Sequence, residues 1–205
     1  MAVLHPSGGP LWARFLSVLF QPYAVLSYWL LLVAVLRPGE ARVAAAAWVA
    51  SVALPVAALL AGKRRGWWGG SELVSRTERF SYLPVSWAGS ALGWLIARRW
   101  APGSLLAASL EAVAAWLAAV ALLTLAWKVS LHTGAIGLMT GVAAWMPAGV
   151  GAVPRLAAVA LGTALAVAVA ASRLALRRHT PAQLVVGFLM GLAAALVPVA
   201  AGSVP

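Results

Sequence analysis

The chain of 205 residues contains no cysteine, which excludes a disulfide framework, a thiolate-held zinc or iron–sulfur centre and a cysteine nucleophile. Charge is scarce as well. Only 9% of the residues are Asp, Glu, Lys or Arg, where a soluble domain carries about 25%, so there is too little polar surface to cover a water-facing exterior. Acidic residues are scarcest, at 4 Asp plus Glu against 15 Lys plus Arg, for a formal net charge of +11. The basic residues stand in clusters between apolar runs and form no continuous stripe, which points to membrane flanks or a phosphate and not to a nucleic-acid surface. Met1 to Pro10 holds His5, Pro6 and Pro10 where a cleavable signal has a basic and then an apolar region, so the first apolar segment is expected to stay.

What the chain has in abundance is apolar sequence: 63% of its residues are hydrophobic and its mean hydropathy is +0.94. At about 20 residues per crossing, apolar segments fall near 20–36, 42–62, 80–97, 104–126, 133–150, 155–174 and 181–201. The expected fold is all-α, a polytopic transmembrane helix bundle of about six to seven spans. Residues 1–19 are expected to form an N-terminal interfacial segment, because Trp12, Phe15, Leu16 and Leu19 recur at helical spacing beside Arg14. Residues 20–205 then make a single transmembrane helical domain. The 11 Trp residues include Trp67, Trp68, Trp87, Trp100, Trp127 and Trp145 near predicted span ends, as in an aromatic belt. Gly137 with Gly141 and Gly187 with Gly191 form small-xxx-small pairs that let helices approach closely.

With seven spans, the segments after the second, fourth and sixth emerge on one side: GKRRGWWGGSELVSRTERFSYLP, WKVSLHTG and SRLALRRHTP. The other side has short turns. Lys and Arg number about ten against five between the sides, but six against five once Arg76, Arg79, Lys128 and Arg173 are reserved for a ligand. Charge therefore leaves the side of the site, and so its orientation in the cell membrane, open.

Two histidines sit immediately before apolar helical runs, His132 before Thr133 and Gly134, and His179 before Thr180 and Pro181. Thr at the cap and Pro at the first position are helix-start signals. Helix starts offer unpaired N–H groups and a positive dipole end, so two of them on one face, flanked by Ser, His and Arg, suit a shared anion such as phosphate. Arg76, Arg79, Lys128, Arg173, Arg177 and Arg178 supply donors for the same ligand, the alternative being that they snorkel at the interface. Arg173 and His179 are six residues apart, about 240° around one continuous helix, so they converge only where the helix breaks. Pro181 disfavours helical geometry at Thr180 and makes that break.

Ser172, Arg173 and His179 reproduce S-R-x5-H, which resembles the third signature of the type 2 phosphatidic acid phosphatase superfamily. Ser130-Leu131-His132 is similar to the second, P-S-G-H, with Val129 and Leu131 replacing Pro and Gly. The first, K-x6-R-P, has its nearest counterpart in Arg76-Thr77-Glu78-Arg79 with Pro84 downstream, in a different register and separated from the second by two predicted spans. The resemblance covers residues 128–191 well and 63–84 poorly. It implies that His179 attacks phosphorus to form a phosphohistidine, that His132 protonates the leaving alcohol, and that Arg173 and Ser130 hold the phosphoryl oxygens, with Lys128, Arg76, Arg79 and Ser172 beside them. No metal and no cofactor is implied. The partners would be a lipid phosphate substrate and membrane lipids; the sequence leaves the oligomeric state open.

The third signature ends in Asp four residues after its His, and here Gln183 stands in that place. A neutral amide accepts a hydrogen bond from the ring but cannot stabilise an imidazolium as a carboxylate does. Glu78 is the candidate replacement, with an ordinary Glu–Arg pair as its plainer reading. Two functions follow: metal-independent hydrolysis or transfer of a lipid phosphate or diphosphate headgroup, or a non-catalytic relative that binds anionic headgroups or acts as a scaffold subunit.

Overall fold

The computed structural model describes residues 9–68, 76–145 and 152–204; the Arg76 side chain and the Gly/Pro stretch at 146–151 lie outside the described residues. Every regular element among them is helical. Helix α1 (Leu11–Leu19) meets α2 (Pro22–Leu36) at a bend of 51°. Pro22 causes the bend: it has no N–H to give, and it holds Gln21 extended at ψ 151°. A 27-residue helix, Pro38–Arg64, follows, made of a short 3-10 turn, α3 (Ala41–Trp48), a π turn at Val49–Ala53 and α4 (Leu54–Arg64). The π turn lies just before Pro55, whose ring and missing N–H do not fit a regular α ladder.

The remaining helices are α5 (Arg76–Trp100), α6 (Leu105–Thr124), α7 (Leu131–Ala144), α8 (Ala152–Ala175), α9 (Pro181–Ala194) and the short α10 (Val197–Ala200). Each of the seven predicted segments contains a helix. By length and apolarity, however, four helices among the described residues can cross a membrane, Pro38–Arg64, Leu105–Thr124, Ala152–Ala175 and Pro181–Ala200, with a fifth if the bent α1–α2 pair is one span. The expectation of six to seven spans is corrected to this number. Two inner helices account for the difference. α5 is 25 residues long but carries Arg76, Glu78, Arg79, Arg98 and Arg99 at its ends and buries Tyr82, Ser86 and Ser90 inside the protein. α7 has only 14 residues, nearly all buried among other helices, so protein and not lipid sets its length.

The exterior is apolar where a soluble protein would be charged: Leu11, Phe15, Leu31, Val35, Leu122 and Leu156 are all largely exposed. Together with the long apolar helices, this makes the chain an integral membrane protein. α8 faces outward along most of its length and buries only Ala166, Val169, Ser172 and Arg173. Its last inward turn thus delivers both polar residues of the S-R pair to the interior.

Helices α7 and α9 approach closely, and the predicted glycine pairs let them. A Cβ on Gly137 would strike the Phe188 carbonyl and one on Gly191 the Gly134 carbonyl. A Cβ on Gly187 would lie 2.5 Å from the Ser130 carbonyl. Gly141 faces Ala195 in the same way. A second such crossing, which sequence reading missed, sets Gly89 and Gly93 of α5 against the π turn. There a Cβ on Gly89 would fall 2.6 Å from the Ala50 carbonyl, and one on Gly93 would strike the Ser51 hydroxyl.

Gly191→Ala is therefore expected to lower unfolding stability in detergent by about 1–3 kcal/mol through overpacking. Gly39→Ala, where nothing lies near the new methyl, should change it by less than about 0.5 kcal/mol.

Candidate functional site

The α7–α9 crossing brings two helix starts side by side. Ser130 caps α7 by accepting from Thr133 N at 3.4 Å, and its own N–H donates to the Gln183 carbonyl at 3.1 Å. Thr133 Oγ1 donates to the Leu184 carbonyl at 2.8 Å. The residues after the second and third signature-like motifs are thus tied directly to each other. On the α9 side, Thr180 and Gln183 form a reciprocal capping box, in which Thr180 N donates to Gln183 Oε1 at 3.1 Å and Gln183 N to Thr180 Oγ1 at 3.4 Å.

α8 ends as the spacing of Arg173 and His179 demands. Arg178 N donates to the Arg173 carbonyl at 3.0 Å and Arg177 N to the Leu174 carbonyl at 2.9 Å, the paired bonds of a Schellman turn. Arg177 occupies its left-handed position at φ 51°, a place usually held by Gly. The turn reverses the chain and lets His179 return toward Arg173.

His179 is 7% exposed, and its Nδ1 lies 3.3 Å from Gln183 Oε1. That oxygen already accepts from Thr180 N–H, which fixes the orientation of the amide, so His179 Nδ1 must be the donor. The Nε2 lone pair is therefore available; Nε2 is buried and makes no hydrogen bond. Burial, and then the charges of Arg173, Arg79 and Lys128, push the pKa of His179 down to about 3, while the Gln183 bond raises it only slightly. The ring is neutral over the whole physiological range. Three of the predicted phosphate-facing cations thus act on a single imidazole.

Each cation is held by a different element. Arg79, 5% exposed on the first turn of α5, donates from Nη1 to the Val129 carbonyl at 2.6 Å. Lys128 Nζ donates to the Arg178 carbonyl at 3.4 Å. Arg173, 2% exposed, donates from Nη1 to Ser17 Oγ at 2.5 Å. Ser172 is fully buried, and its hydroxyl makes no hydrogen bond.

His132 is 8% exposed, and its Nε2 lies 3.2 Å from the backbone carbonyl of Ser17. A carbonyl only accepts, so Nε2 carries the proton. Ser17, which sequence reading missed, therefore touches Arg173 with its side chain and His132 with its backbone. It lies on the small-residue face of α1, where Ala13 and Ser17 are buried four residues apart. That i, i+4 pair was the available signal, eclipsed in the sequence by the Trp12 and Phe15 face.

Glu78 is partly buried on the first turn of α5. The group at His179 Nδ1 is Gln183, and among the described residues the charges acting on that ring are all cationic. No group of three or more His, Cys, Asp or Glu side chains converges among the described residues as a metal site would.

Beside Ser17, His132 and Arg79 opens a cavity of about 200 Å³ that runs between α2, α4, α5, α6 and α7. Its wall is mostly apolar, with Leu26, Leu83, Leu117 and Met139 among the lining residues. It sets a few polar side chains beside a wall suited to hydrocarbon.

No family model, curated protein or solved structure matches the chain.

Gln183→Glu retains the reach of the side chain and adds a negative charge beside Nδ1, so the His179 pKa should rise from about 3 toward its ordinary value near 6.5. A histidine-selective NMR titration of both proteins measures this, and an unmoved pKa would show that Gln183 does not contact the ring. Arg177→Gly should leave the site intact and raise stability by up to about 1 kcal/mol by relieving the left-handed backbone, read from thermal unfolding in detergent.

Proposed function

We propose that the chain is a metal-independent membrane phosphatase or phosphotransferase acting on a lipid phosphate or diphosphate, a divergent member of the type 2 phosphatidic acid phosphatase superfamily. The observation that carries this reading is the His179 ring: buried, neutral, fixed by Gln183 with its Nε2 lone pair available, and acted on by Arg173, Arg79 and Lys128. A neutral imidazole among cations is a nucleophile placed where a phosphoryl group would be held. The same cations that depress its basicity would have their charge balanced by a bound phosphate dianion, which restores nucleophilicity when substrate arrives.

In the first step the His179 Nε2 lone pair forms a bond to phosphorus as the bond from phosphorus to the lipid oxygen breaks. His132, in its imidazolium form, gives its Nε2 proton to the departing alkoxide. Water then attacks the phosphohistidine, His132 takes a proton from that water, and the P–N bond breaks to release inorganic phosphate and regenerate neutral His179. Arg173, Arg79 and Lys128 hold the equatorial oxygens, with Ser130 and the start of α7 beside them. The Ser17 hydroxyl, which now accepts from Arg173, stands where a phosphoryl oxygen would go. α1 therefore has to yield that contact for substrate to bind. The apolar cavity at the mouth would take part of the lipid.

One observation favours the non-catalytic alternative, in which the site holds an anionic headgroup without cleaving it. The Nδ1 partner is a neutral amide, which lends little stability to the imidazolium and phosphohistidine states.

Phosphate release by detergent-purified wild type and His179→Ala, with chelator present, separates the two readings. Phosphatidic acid, phosphatidylglycerol phosphate and a polyprenyl diphosphate serve as substrates. Release by wild type with a loss of at least about 10³-fold in the variant is expected for a removed nucleophile. Equal background from two folded proteins that still bind the lipids would establish the headgroup-binding reading instead.

A further inference from the structure

Helix α6 is covered on nearly every side. Between Leu105 and Val120 only Glu111, Ala115, Ala118 and Ala119 reach the surface, and offsets of four, seven and eight residues put them on one stripe of the helix. The stripe lies on a helix long and apolar enough to cross the membrane, with the carboxyl of Glu111 within the span. A carboxylate at that position normally pairs with another polar group. Among the described residues, no hydrogen bond or ion pair reaches Glu111.

A cation stands at a matching depth on the neighbouring helix. α5 and α6 pack together and are joined by the short turn from Ala101 to Ser104, so the end of α5 and the start of α6 lie at the same face of the membrane. Arg98 is exposed, and its guanidinium carbon lies 5.4 Å from the centre of the Trp94 ring. Trp94 is four residues deeper on α5, so the Arg98 side chain folds inward along the helix and does not snorkel out to the headgroups. Trp94 precedes the last residue of α5 by six positions, and Glu111 follows the first residue of α6 by six. At 1.5 Å per residue both stand about 9 Å inside the helix ends. Side chains lean toward the start of their own helix, which draws Arg98 inward and turns Glu111 back toward the same level. Within the chain these two charges do not pair with each other.

We propose that this edge of the protein is a homodimer interface, in which Glu111 of each copy pairs with Arg98 of the other. Two copies inserted in the same orientation are related by a two-fold axis along the membrane normal. That symmetry leaves depth unchanged and requires the surface to complement itself. An edge that carries an anion and a cation at one level meets the requirement and gives two ion pairs per dimer. Ala115, Ala118 and Ala119 continue the contact toward the middle of the bilayer, without long side chains to hold the helices apart. The pairs lie at the end of α5 remote from Arg79, so the interface leaves the His179 site clear and does not rest on the chemistry proposed there.

The test measures association in proteoliposomes over a range of protein-to-lipid ratios. Because the chain has no cysteine, Gly39→Cys, where a new side chain meets nothing, takes one fluorophore per copy, and single-molecule photobleaching counts the copies. The protein with otherwise native sequence should pass from one label to two as density rises. Glu111→Gln and Arg98→Gln should each weaken dimerisation by at least about 10-fold, since symmetry makes either change remove both charge-assisted pairs. The exchanged variant, Glu111→Arg with Arg98→Glu, should return to within about 5-fold of the native affinity. In a separate background, a short bismaleimide should link Ala118→Cys into dimers and leave Leu161→Cys, on the exposed face of α8, as monomers. Monomers at every density, as expected where lipid or a different protein covers this edge, would overturn the interface. So would dimers of unchanged strength in both glutamine variants, or cross-linking at Leu161→Cys in place of Ala118→Cys. If the exchanged variant does not fold, the two glutamine variants and the cross-linking pattern still decide.

Discussion

The arrangement depends on how closely α7 and α9 approach each other. In a bilayer, apolar side chains gain little from leaving lipid for protein, so helices associate through shape and backbone proximity. Gly137, Gly187 and Gly191 remove the side chains that would hold these two helices apart, and backbone carbonyls fill the space. This crossing sets the start of α7 against the start of α9, which ties Ser130 to the Gln183 carbonyl and Thr133 to the Leu184 carbonyl. Widening it by the diameter of a methyl group would separate the two helix starts that make up the site.

Around that contact the protein has gathered ionisable side chains where charge is costly. Arg173, Arg79, His132 and His179 are each less than a tenth exposed. Such residues persist in a membrane protein when internal partners or a ligand hold them. Their partners include backbone carbonyls and one serine: Val129 for Arg79, Arg178 for Lys128 and Ser17 for both Arg173 and His132. Carbonyls satisfy hydrogen bonds without neutralising charge, and the positive field of Arg173, Arg79 and Lys128 reaches the His179 ring. That field depresses the His179 pKa and would attract an anion.

The second polar region, around Ser51, follows from a different local fault. Pro55 breaks the regular ladder of the second helix, the π turn absorbs the mismatch, and Gly89 and Gly93 of α5 close over it. The cavity is lined both by this irregular segment and by Ser17, His132 and Arg79. A strained helix and a charged helix start, far apart in the chain, therefore line one space.

The helices and most of the signature-like residues were legible from the sequence, because hydrophobic runs and helix-start chemistry are local. Pro181 and Thr180 announce the start of α9, and Gly187 with Gly191 announce a close approach. The span count was not legible, since hydropathy cannot tell a lipid-facing helix from a buried one such as α7, whose 14 residues are sheltered by its neighbours. Ser17 carried only a faint signal, its i, i+4 spacing from Ala13, because the importance of a small polar residue lies in what it faces. The sequence by itself determined an all-helical membrane protein with two histidine-bearing helix starts and a break between Arg173 and His179, since these follow from bonding along neighbouring residues. Only the tertiary structure decided that α1 closes the site through Ser17 and that Gln183 contacts the His179 ring. Each of these depends on which helices meet, and that is set by packing between residues up to 156 positions apart.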